Sequence, residues 1–456
     1  MIFAILGAVM AMEPLEAAAA FSAKALCSGV FVSHRAPEEV TAVDILADRS
    51  AAFSQVTQKI DYQERSVTSS YGDVITRKAV YREGLGCTLV IGASEATLRA
   101  QSAPVPASRP ARSRPWPQGE AAPARLPAGV DGRRLAEVVD AAFNEPDPDR
   151  LRRTRAVIVV RKGRIIAERY APGITADTPL LGNSMTKSTV NALVGVLVGQ
   201  GKLALTDSGL APEWRRDPED PRRAITLDHL LRMSSGLRWG EATGVPVTDN
   251  GKMLLTTGDM AAMAAEQPLE APPGTKWRYS SATTNIMSRV LKERSGGSLA
   301  DYHALPRRAL FDPLRMRSAV IETDASGTFV GSTSMYASAR DWARLGLLYL
   351  QDGVWEGRRI LPKGWVRYSQ TAAPASPRGL YGAQFWREIP GSYRQQGPGR
   401  PQLPSDMYSM VGNAGQFVTI IPSSDLVIVR MGWGLKDNVW DQETFVHDIV
   451  QASGGG

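Results

Sequence analysis

Hydrophobic residues recur with two different periods along the chain, and the two periods separate helices from strands. The segment DGRRLAEVVDAAFN (131–144) has apolar residues at helical spacing. The next segment, RAVIVVRKGRIIAERYA (155–171), holds two β-rich runs joined at Lys162-Gly163, which is typical of a hairpin. The segment STVNALVGVLVGQGKL (188–203) is apolar on nearly every face. It therefore predicts a helix buried inside the protein.

The same pattern closes the chain. Two β-rich runs in GQFVTIIPSSDLVIVRMGWG (415–434) flank a turn, and QETFVHDIVQAS (442–453) follows with helical spacing. Strands at both ends of a region, with helical segments between them, favour an antiparallel sheet whose terminal elements pack together. The expected fold class is therefore α+β.

Changes in composition and hydrophobic pattern divide the sequence into four predicted parts. Residues 1–20 begin with an apolar run of about a dozen residues and end in an alanine-rich cleavage-like site, which predicts a signal peptide. Residues 21–95 contain alternating segments and predict a small α+β domain. Residues 96–126 are rich in Pro, Ala, Arg and Ser and predict a semi-stiff linker. Residues 127–453 are the only part large enough for an enzyme core.

The two cysteines, Cys27 and Cys87, both lie in the predicted N-terminal domain. In an exported protein such a pair predicts a disulfide, whereas in the cytosol the two residues would be buried thiols. We therefore expect a periplasmic or secreted protein, with a cytoplasmic one as the alternative if the N-terminal segment is not a signal peptide. Membrane contact is expected only through that segment, if it stays uncleaved.

Composition excludes several partners. The formal charge is +7, but acids are mixed with bases along most of the chain. This is typical of a solvated surface, and we expect no nucleic-acid binding. The four histidines are scattered without metal-ligand spacing, so no metal or other cofactor is expected. The chain also lacks a G-x-S-x-G elbow, which disfavours an α/β-hydrolase.

The chemistry concentrates around an S-x-x-K tetrad, Ser184 to Lys187, which occurs once in the chain. It precedes the predicted buried helix, and residues i and i+3 share a helix face. A buried lysine can lose its proton and then serve as the base that activates a serine. The alternative is a helix-capping Ser184 with a surface Lys187.

Two further segments hold polar candidates. Tyr279, in PPGTKWRYSSATTN (272–285), is either a proton relay or a packing residue. Asn413, Ala414 and Gly415 precede a predicted strand, where small residues allow close substrate approach. The edge of that strand would offer the backbone N–H of Gln416 to an oxyanion. A plain tight turn is the alternative.

Five segments taken in order resemble one family: SMTK, HLLRMSSGLRWGE, PPGTKWRYSS, DWARLGLLYLQDGVWEGRRILPKGW and GNAGQFVTIIPSSDLVIVR. The family is that of the β-lactamase-related serine hydrolases, which includes class C β-lactamases, family VIII carboxylesterases and 6-aminohexanoate-dimer hydrolases. The resemblance implies a penicillin-binding-protein-like transpeptidase fold, in which an antiparallel sheet is flanked by helices and accompanied by a helical subdomain. The small α+β domain would precede this fold.

The resemblance also implies residue roles. Ser184 matches the nucleophile, Lys187 its base partner and Tyr279 the tyrosine that passes a proton to the leaving group. Asn413-Ala414-Gly415 takes the place of the third motif, K-T-G or H-x-G. The backbone N–H groups of Ser184 and Gln416 would form the oxyanion hole.

Two departures from the family pattern narrow the expected substrate. Ser281 stands where the second motif usually has asparagine, and Asn413 replaces the cation of the third motif. A substrate bearing a carboxylate would favour a cation there. We therefore expect a small-molecule ester or small uncharged amide as the substrate. The alternatives are a binding protein of this fold without turnover, or a DD-peptidase or β-lactamase.

Overall fold

The structure is a computed structural model that describes residues 2–106, 113–121, 125–242, 247–394 and 399–454, with the backbone only for residues 2–12. Residues 107–112 and 122–124 of the predicted linker lie outside these ranges. The strands of the described residues are β1 (Thr57–Asp61), β2 (Ser66–Tyr71), β3 (Ile75–Arg82), β4 (Gly86–Leu89), β5 (Ala156–Arg161), β6 (Arg164–Tyr170), β7 (Leu180–Leu181), β8 (Val320–Ile321), β9 (Met335–Ala337), β10 (Val354–Trp355), β11 (Arg358–Arg359), β12 (Tyr408–Gly412), β13 (Gln416–Ile421) and β14 (Leu426–Met431).

The α-helices of the same residues are α1 (Ile2–Phe31), α2 (Pro37–Glu39), α3 (Glu95–Arg99), α4 (Gly132–Ala141), α5 (Thr186–Gly199), α6 (Leu227–Leu231), α7 (Asp249–Thr256), α8 (Met260–Ala265), α9 (Ser281–Arg294), α10 (Leu299–Pro306), α11 (Ala339–Leu350), α12 (Trp365–Gln370) and α13 (Gln442–Ala452). Within the described ranges, none of these helices is long and apolar enough to cross a bilayer.

The chain divides into two compact units. Unit 1 comprises Met1–Val105, Leu203–Ala304 and Val320–Ser334. Unit 2 comprises Pro106–Lys202, Leu305–Ala319 and Met335–Gly456. Each unit therefore draws on segments that are distant in sequence.

Unit 2 is built on a five-stranded antiparallel sheet with the order β12-β13-β14-β5-β6. Alternation along the strands sends one set of side chains to each face. On one face, Val157 and Ile428 belong to an apolar cluster shared with α4 and α13. On the other face α11 packs closely, because a Cβ at Gly346 would lie 2.7 Å from the Val418 side chain. The predicted antiparallel sheet with its terminal elements packed together is confirmed, since α4 contacts α13.

Unit 1 contains a four-stranded antiparallel sheet with the order β1-β2-β3-β4, covered by α1. Cys27 of α1 is disulfide-bonded to Cys87 of β4, with a Cα–Cα distance of 6.0 Å. Glu322 is fully buried in the same unit and accepts hydrogen bonds from Ser28 Oγ (2.7 Å) and from the Cys87 N–H (2.8 Å).

The two compact units differ from the predicted domains. Residues 21–95 were expected to form a domain of their own, yet they form one unit with residues 203–304 and 320–334. Helix α1 also continues through the predicted cleavage site, and Ala18 and Ala19 are buried beside Val56 and Ile75. The signal peptide stays a prediction.

Residues 113–121 of the predicted linker pack within unit 2, whereas residues 96–105 belong to unit 1. Trp116 is buried. Arg344 of α11 donates to the Pro117 carbonyl at 3.2 Å and to Glu120 at 2.7 Å. Arg340, one helical turn earlier, also donates to Glu120, at 3.0 Å. Buried guanidinium groups require acceptors, and this segment provides them.

Candidate active site

Ser184 lies where a short strand passes into the buried helix of unit 2. Strand β7 is followed by Gly182 and by a 3₁₀ turn, Asn183–Met185, that leads into α5. Asn183 adopts a left-handed φ of 48°. A Cβ at Gly182 would lie 2.2 Å from the ring of Trp342, so only glycine fits beside this indole. The backbone before Ser184 is thus strained at Asn183 and fixed by close packing at Gly182.

Lys187 lies one turn further on and faces Ser184. Its Nζ donates to Ser184 Oγ at 3.0 Å, and Lys187 is only 1% exposed. The predicted buried helix explains this burial, because α5 is buried on all sides from Thr186 to Leu197. The structure therefore brings the two residues of the tetrad into direct contact.

The predicted third motif is a three-residue turn between β12 and β13. Asn183 Nδ2 donates to the Asn413 carbonyl at 2.9 Å. A Cβ at Gly412 would lie 2.2 Å from the Gly182 carbonyl oxygen. The turn itself has left-handed residues at Ala414 (φ 63°) and Gly415 (φ 81°). The structure thus places the turn directly against the residues that precede Ser184.

Gln416 is the first residue of β13, and its role at the oxyanion hole stays a prediction. Strand β13 lies between β12 and β14, and Gln416 is paired with Gly412 in the ladder. The Gln416 side chain is buried and bonds to the backbone of Gly432, whose N–H lies 3.1 Å from Gln416 Oε1. The edge strand is β12, and its end brings Gly412 and Asn413 against Gly182 and Asn183, the two residues before Ser184.

Tyr279 and Ser281 belong to unit 1. Tyr279 is half-buried, and its ring centroid lies 6.5 Å from that of Trp277. Ser280 caps α9 by accepting from the Thr283 N–H at 3.4 Å. Ser281 is buried and donates to Glu241 Oε1 at 2.6 Å. These contacts favour a role for Ser281 in holding the start of α9 over contact with a substrate.

Glu241 was missed by sequence reasoning, although its segment carries part of the family resemblance. Besides the Ser281 hydroxyl, it accepts the Ser281 N–H and Trp239 Nε1, each at 2.7 Å from Oε2. A carboxylate at the first turn of a helix is favourable, because the N–H groups there lack partners within the helix. The W-x-E spacing of Trp239 and Glu241 is visible in the sequence. The other donor to Glu241, Ser281, lies forty residues further on and could not be found from that spacing.

His229 begins one of the segments that carry the family resemblance, and it makes a structural contact in unit 1. His229 accepts from the Thr226 N–H at 3.2 Å and completes a capping box on α6. Burial lowers the pKa of His229. This geometry gives His229 a structural role at the start of α6. Within the described ranges, no group of three metal-ligating side chains is found.

The fold and the relatives together define the class of protein. An antiparallel sheet flanked by helices, with a serine and a buried lysine at the start of a central helix, is the arrangement of a penicillin-binding-protein-like serine hydrolase. A family model described as Beta-lactamase matches residues 139–444. The chain therefore belongs to the β-lactamase family.

Individual relatives agree with this assignment. The 6-aminohexanoate-dimer hydrolase of Paenarthrobacter ureafaciens is 27% identical over 294 residues, which cover 61% of this chain and 72% of that protein. A penicillin-binding protein homologue from Caulobacter crescentus has a TM-score of 0.53 at 16% identity, over 73% of this chain and 99% of that one. A family VIII carboxylesterase has a TM-score of 0.53 at 15% identity over the same shares. The two solved structures support the fold alone.

Proposed function

We propose that this protein hydrolyses ester or small amide bonds through an acyl-enzyme formed on Ser184. The observation that carries the proposal is the 3.0 Å contact between Lys187 Nζ and Ser184 Oγ, formed by a lysine that is almost fully buried. The relative named as a 6-aminohexanoate-dimer hydrolase supports this proposal, and a family VIII carboxylesterase shares the fold.

The proposed acylation begins with the neutral amine of Lys187. This amine takes the hydroxyl proton of Ser184 while Oγ bonds to the substrate carbonyl carbon. The tetrahedral intermediate then collapses, and the bond to the alcohol or amine breaks. In this proposal Tyr279 passes the proton to the leaving group. Water next attacks the acyl-enzyme, and the acid is released with Ser184 restored.

The oxyanion of the intermediate needs backbone N–H donors, and the structure favours a pair that differs from the expected one. The helix start leaves the Ser184 N–H without an acceptor inside the helix. In the described part of the chain, the N–H of Asn413 also has no hydrogen-bond acceptor. Gln416, by contrast, lies within the ladder. We therefore assign the oxyanion hole to the N–H groups of Ser184 and Asn413.

The third motif supports substrates without a carboxylate. The turn of Asn413, Ala414 and Gly415 contributes no charged side chain, so it offers neutral hydrogen bonds only. A β-lactam or a peptidoglycan stem peptide would lack its usual cationic partner there. Small uncharged esters and amides suit this turn better.

We also propose that the protein is exported. The Cys27–Cys87 disulfide supports this proposal, because such bonds persist in oxidising compartments. Fractionation of the native cells, followed by detection of the protein, tests it. Recovery from the cytosol with both cysteines reduced would contradict it.

Covalent trapping tests the catalytic proposal. The full-length protein is treated with a fluorophosphonate, and the adduct is located by peptide mass spectrometry. Hydrolysis of 4-nitrophenyl butyrate and of a short linear amide is measured in parallel. We expect the adduct on Ser184 and no turnover by Ser184→Ala.

Ser188 of α5, four residues after Ser184, provides a control serine. Ser188 is buried and donates to the Gln384 carbonyl at 2.7 Å, so Ser188→Ala should retain both labelling and turnover. An adduct on another residue, or unchanged turnover by Ser184→Ala, would overturn the proposal. Labelling by a fluorescent penicillin together with rapid release would instead indicate a β-lactamase.

A further inference from the structure

Strand β14 of unit 2 carries a buried positive charge, Arg430, that has no role in the acylation steps proposed above. Arg430 is 0% exposed, and its guanidinium lies 4.0 Å from the ring centroid of Trp440. Its acceptors are the Gly415 and Arg152 carbonyls, at 2.6 and 3.0 Å, and Thr154 Oγ1 at 2.9 Å. Among the described residues no carboxylate forms an ion pair with it. Burying an unpaired charge is costly, so its position calls for a reason.

The guanidinium lies directly beneath the turn that contacts the residues before Ser184. A Cβ at Gly415 would lie 2.1 Å from Arg430 Nη1, and one at Gly432 would lie 2.2 Å from the same atom. Both positions therefore have to be glycine to admit the guanidinium. The site is built around Arg430, since any larger residue would displace it.

Arg430 completes a set of contacts that fixes the turn. Gly415 is held on its other side, where its N–H donates to Tyr393 Oη at 3.3 Å. The Ala414 carbonyl accepts from the Gly434 N–H at 3.2 Å. With Asn183 on the Asn413 carbonyl, each carbonyl of the turn has a donor. Such fixing matters because oxyanion donors are effective only when they are already in place.

We propose that Arg430 is a positioning residue for the oxyanion hole: it fixes the Asn413–Gly415 turn and places a positive charge behind it. The inference rests on the proposed function, because it assigns the turn to the oxyanion hole. It also explains how the third motif can function without a lysine or histidine, because Arg430 supplies a positive charge from the neighbouring strand. A charge on the neighbouring strand favours the developing oxyanion while remaining out of reach of the substrate.

Two properties agree with this role. Arg430 is fully buried and cannot bind a substrate carboxylate, so the preference for uncharged substrates is unaffected. Burial lowers the pKa of Arg430 to about 9, which still leaves the group protonated at neutral pH. Burial also raises the pKa of Tyr393, whose hydroxyl therefore remains neutral on the other side of the turn.

The test compares Arg430→Met and Arg430→Lys with a matched control. Methionine keeps the apolar volume and removes the charge, while lysine keeps the charge with fewer donors. Arg161 of β5 is also buried, and among the described residues its hydrogen-bond acceptors are the backbone carbonyls of Ser453 and Gly454. It pairs with Leu426, four residues along β14 from Arg430, or about 13 Å. Arg161→Lys therefore repeats the chemical change away from the turn.

The readouts are kcat and KM for 4-nitrophenyl butyrate, and the inhibition constant of phenylboronic acid, which becomes a tetrahedral anion on a serine. For Arg430→Met we expect kcat to fall about 10- to 100-fold with KM nearly unchanged. Boronate affinity should fall in parallel. Arg430→Lys should lie between this variant and the wild type, and Arg161→Lys should match the wild type.

Thermal unfolding separates a loss of structure from a loss of chemistry. A folded Arg430→Lys with wild-type kcat and boronate affinity would overturn the inference, as would a rise in KM at constant kcat. Fluorophosphonate labelling of the wild type keeps the two proposals apart. If the wild type is labelled on Ser184 and the Arg430 variants behave like Arg161→Lys, only the inference fails. If the wild type is not labelled there, the proposed function fails and the inference with it.

Discussion

Two helix starts carry the proposed catalytic groups, and they are held in opposite ways. The start of α5 in unit 2, which bears Ser184, has no side-chain cap and depends on Trp342 packed against Gly182. The start of α9 in unit 1, which follows Tyr279, is capped by Ser280 and by Glu241.

The difference follows from what each backbone has to do. A cap satisfies the first N–H groups of a helix. Just before α5, the N–H of Ser184 is proposed to bind the oxyanion, so a cap on that group would compete with the substrate. At α9 the backbone only has to hold a tyrosine in place, and capping serves that purpose. The missing cap at α5 therefore serves the proposed function, and the packing of Trp342 against Gly182 compensates for the lost stabilisation.

The largest expected effect comes from removing the base at the uncapped start. Lys187→Met should lower kcat about 1,000-fold, because Ser184 loses its proton acceptor. Steady-state hydrolysis of 4-nitrophenyl butyrate measures this. Lys187→Arg introduces a guanidinium that stays protonated at neutral pH and cannot accept the Ser184 proton, so it should be similarly inactive. Near wild-type kcat for Lys187→Arg would show that charge alone suffices.

Next in size is the packing that replaces the cap. Gly182→Ala would place Cβ 2.2 Å from the buried ring of Trp342. We expect a loss of about 3 kcal/mol in the free energy of unfolding and at least a tenfold loss of kcat, because the Ser184 backbone shifts.

A similar clash in the middle of α5 provides the control for Gly182→Ala. A Cβ at Gly195 would lie 2.5 Å from Trp365 Nε1. Gly195→Ala should destabilise the protein comparably, yet leave kcat per folded molecule unchanged. Equal kcat for the two alanine variants would contradict a special role for the helix start.

The carboxylate at the capped start should have a smaller effect. Glu241→Ala leaves the Trp239 indole and the start of α9 without their acceptor, and we expect kcat to fall about tenfold with little change in KM. Glu241→Gln retains acceptors and should lose less. Glu270 serves as the control, because it is a carboxylate in the same unit that forms a salt bridge with Arg278. If Glu241→Ala and Glu270→Gln give the same kcat, the positioning role is wrong.

The smallest effect is expected from the cap itself. Ser280→Ala removes the acceptor of the Thr283 N–H and should cost about 1 kcal/mol of stability, with less than a twofold change in kcat. Urea unfolding measures the cost. Ser338 caps α11 in the same manner, with the Asp341 N–H at 3.3 Å, so Ser338→Ala should cost a similar amount. A large drop in kcat for Ser280→Ala alone would mean that the cap positions Tyr279 directly.

Local spacing made part of the site predictable. Ser184 and Lys187 are three residues apart, so helix geometry brings them together once α5 forms. The buried character of α5 and the β13–β14 hairpin are likewise written in short stretches of sequence. Such features need no knowledge of distant contacts.

Other parts of the site depend on contacts between distant segments, and sequence reasoning missed them. Gln416 lies in an interior strand because β12 pairs outside it, and this sheet order is not encoded locally. Arg430 finds its partner Thr154 in a segment 276 residues earlier. Glu322 accepts from the N–H of Cys87, which lies 235 residues earlier, and both residues belong to unit 1.

The docked segment around Glu120 has a practical consequence for work with recombinant fragments. Cutting at residue 127, where the texture of the sequence suggests an independent enzyme, would remove the acceptors that Pro117 and Glu120 provide for Arg344. Arg344 would remain buried with only Asp341 as its carboxylate partner, and Trp116 would leave its place beside it. An expression boundary that respects this packing has to lie upstream of residue 113.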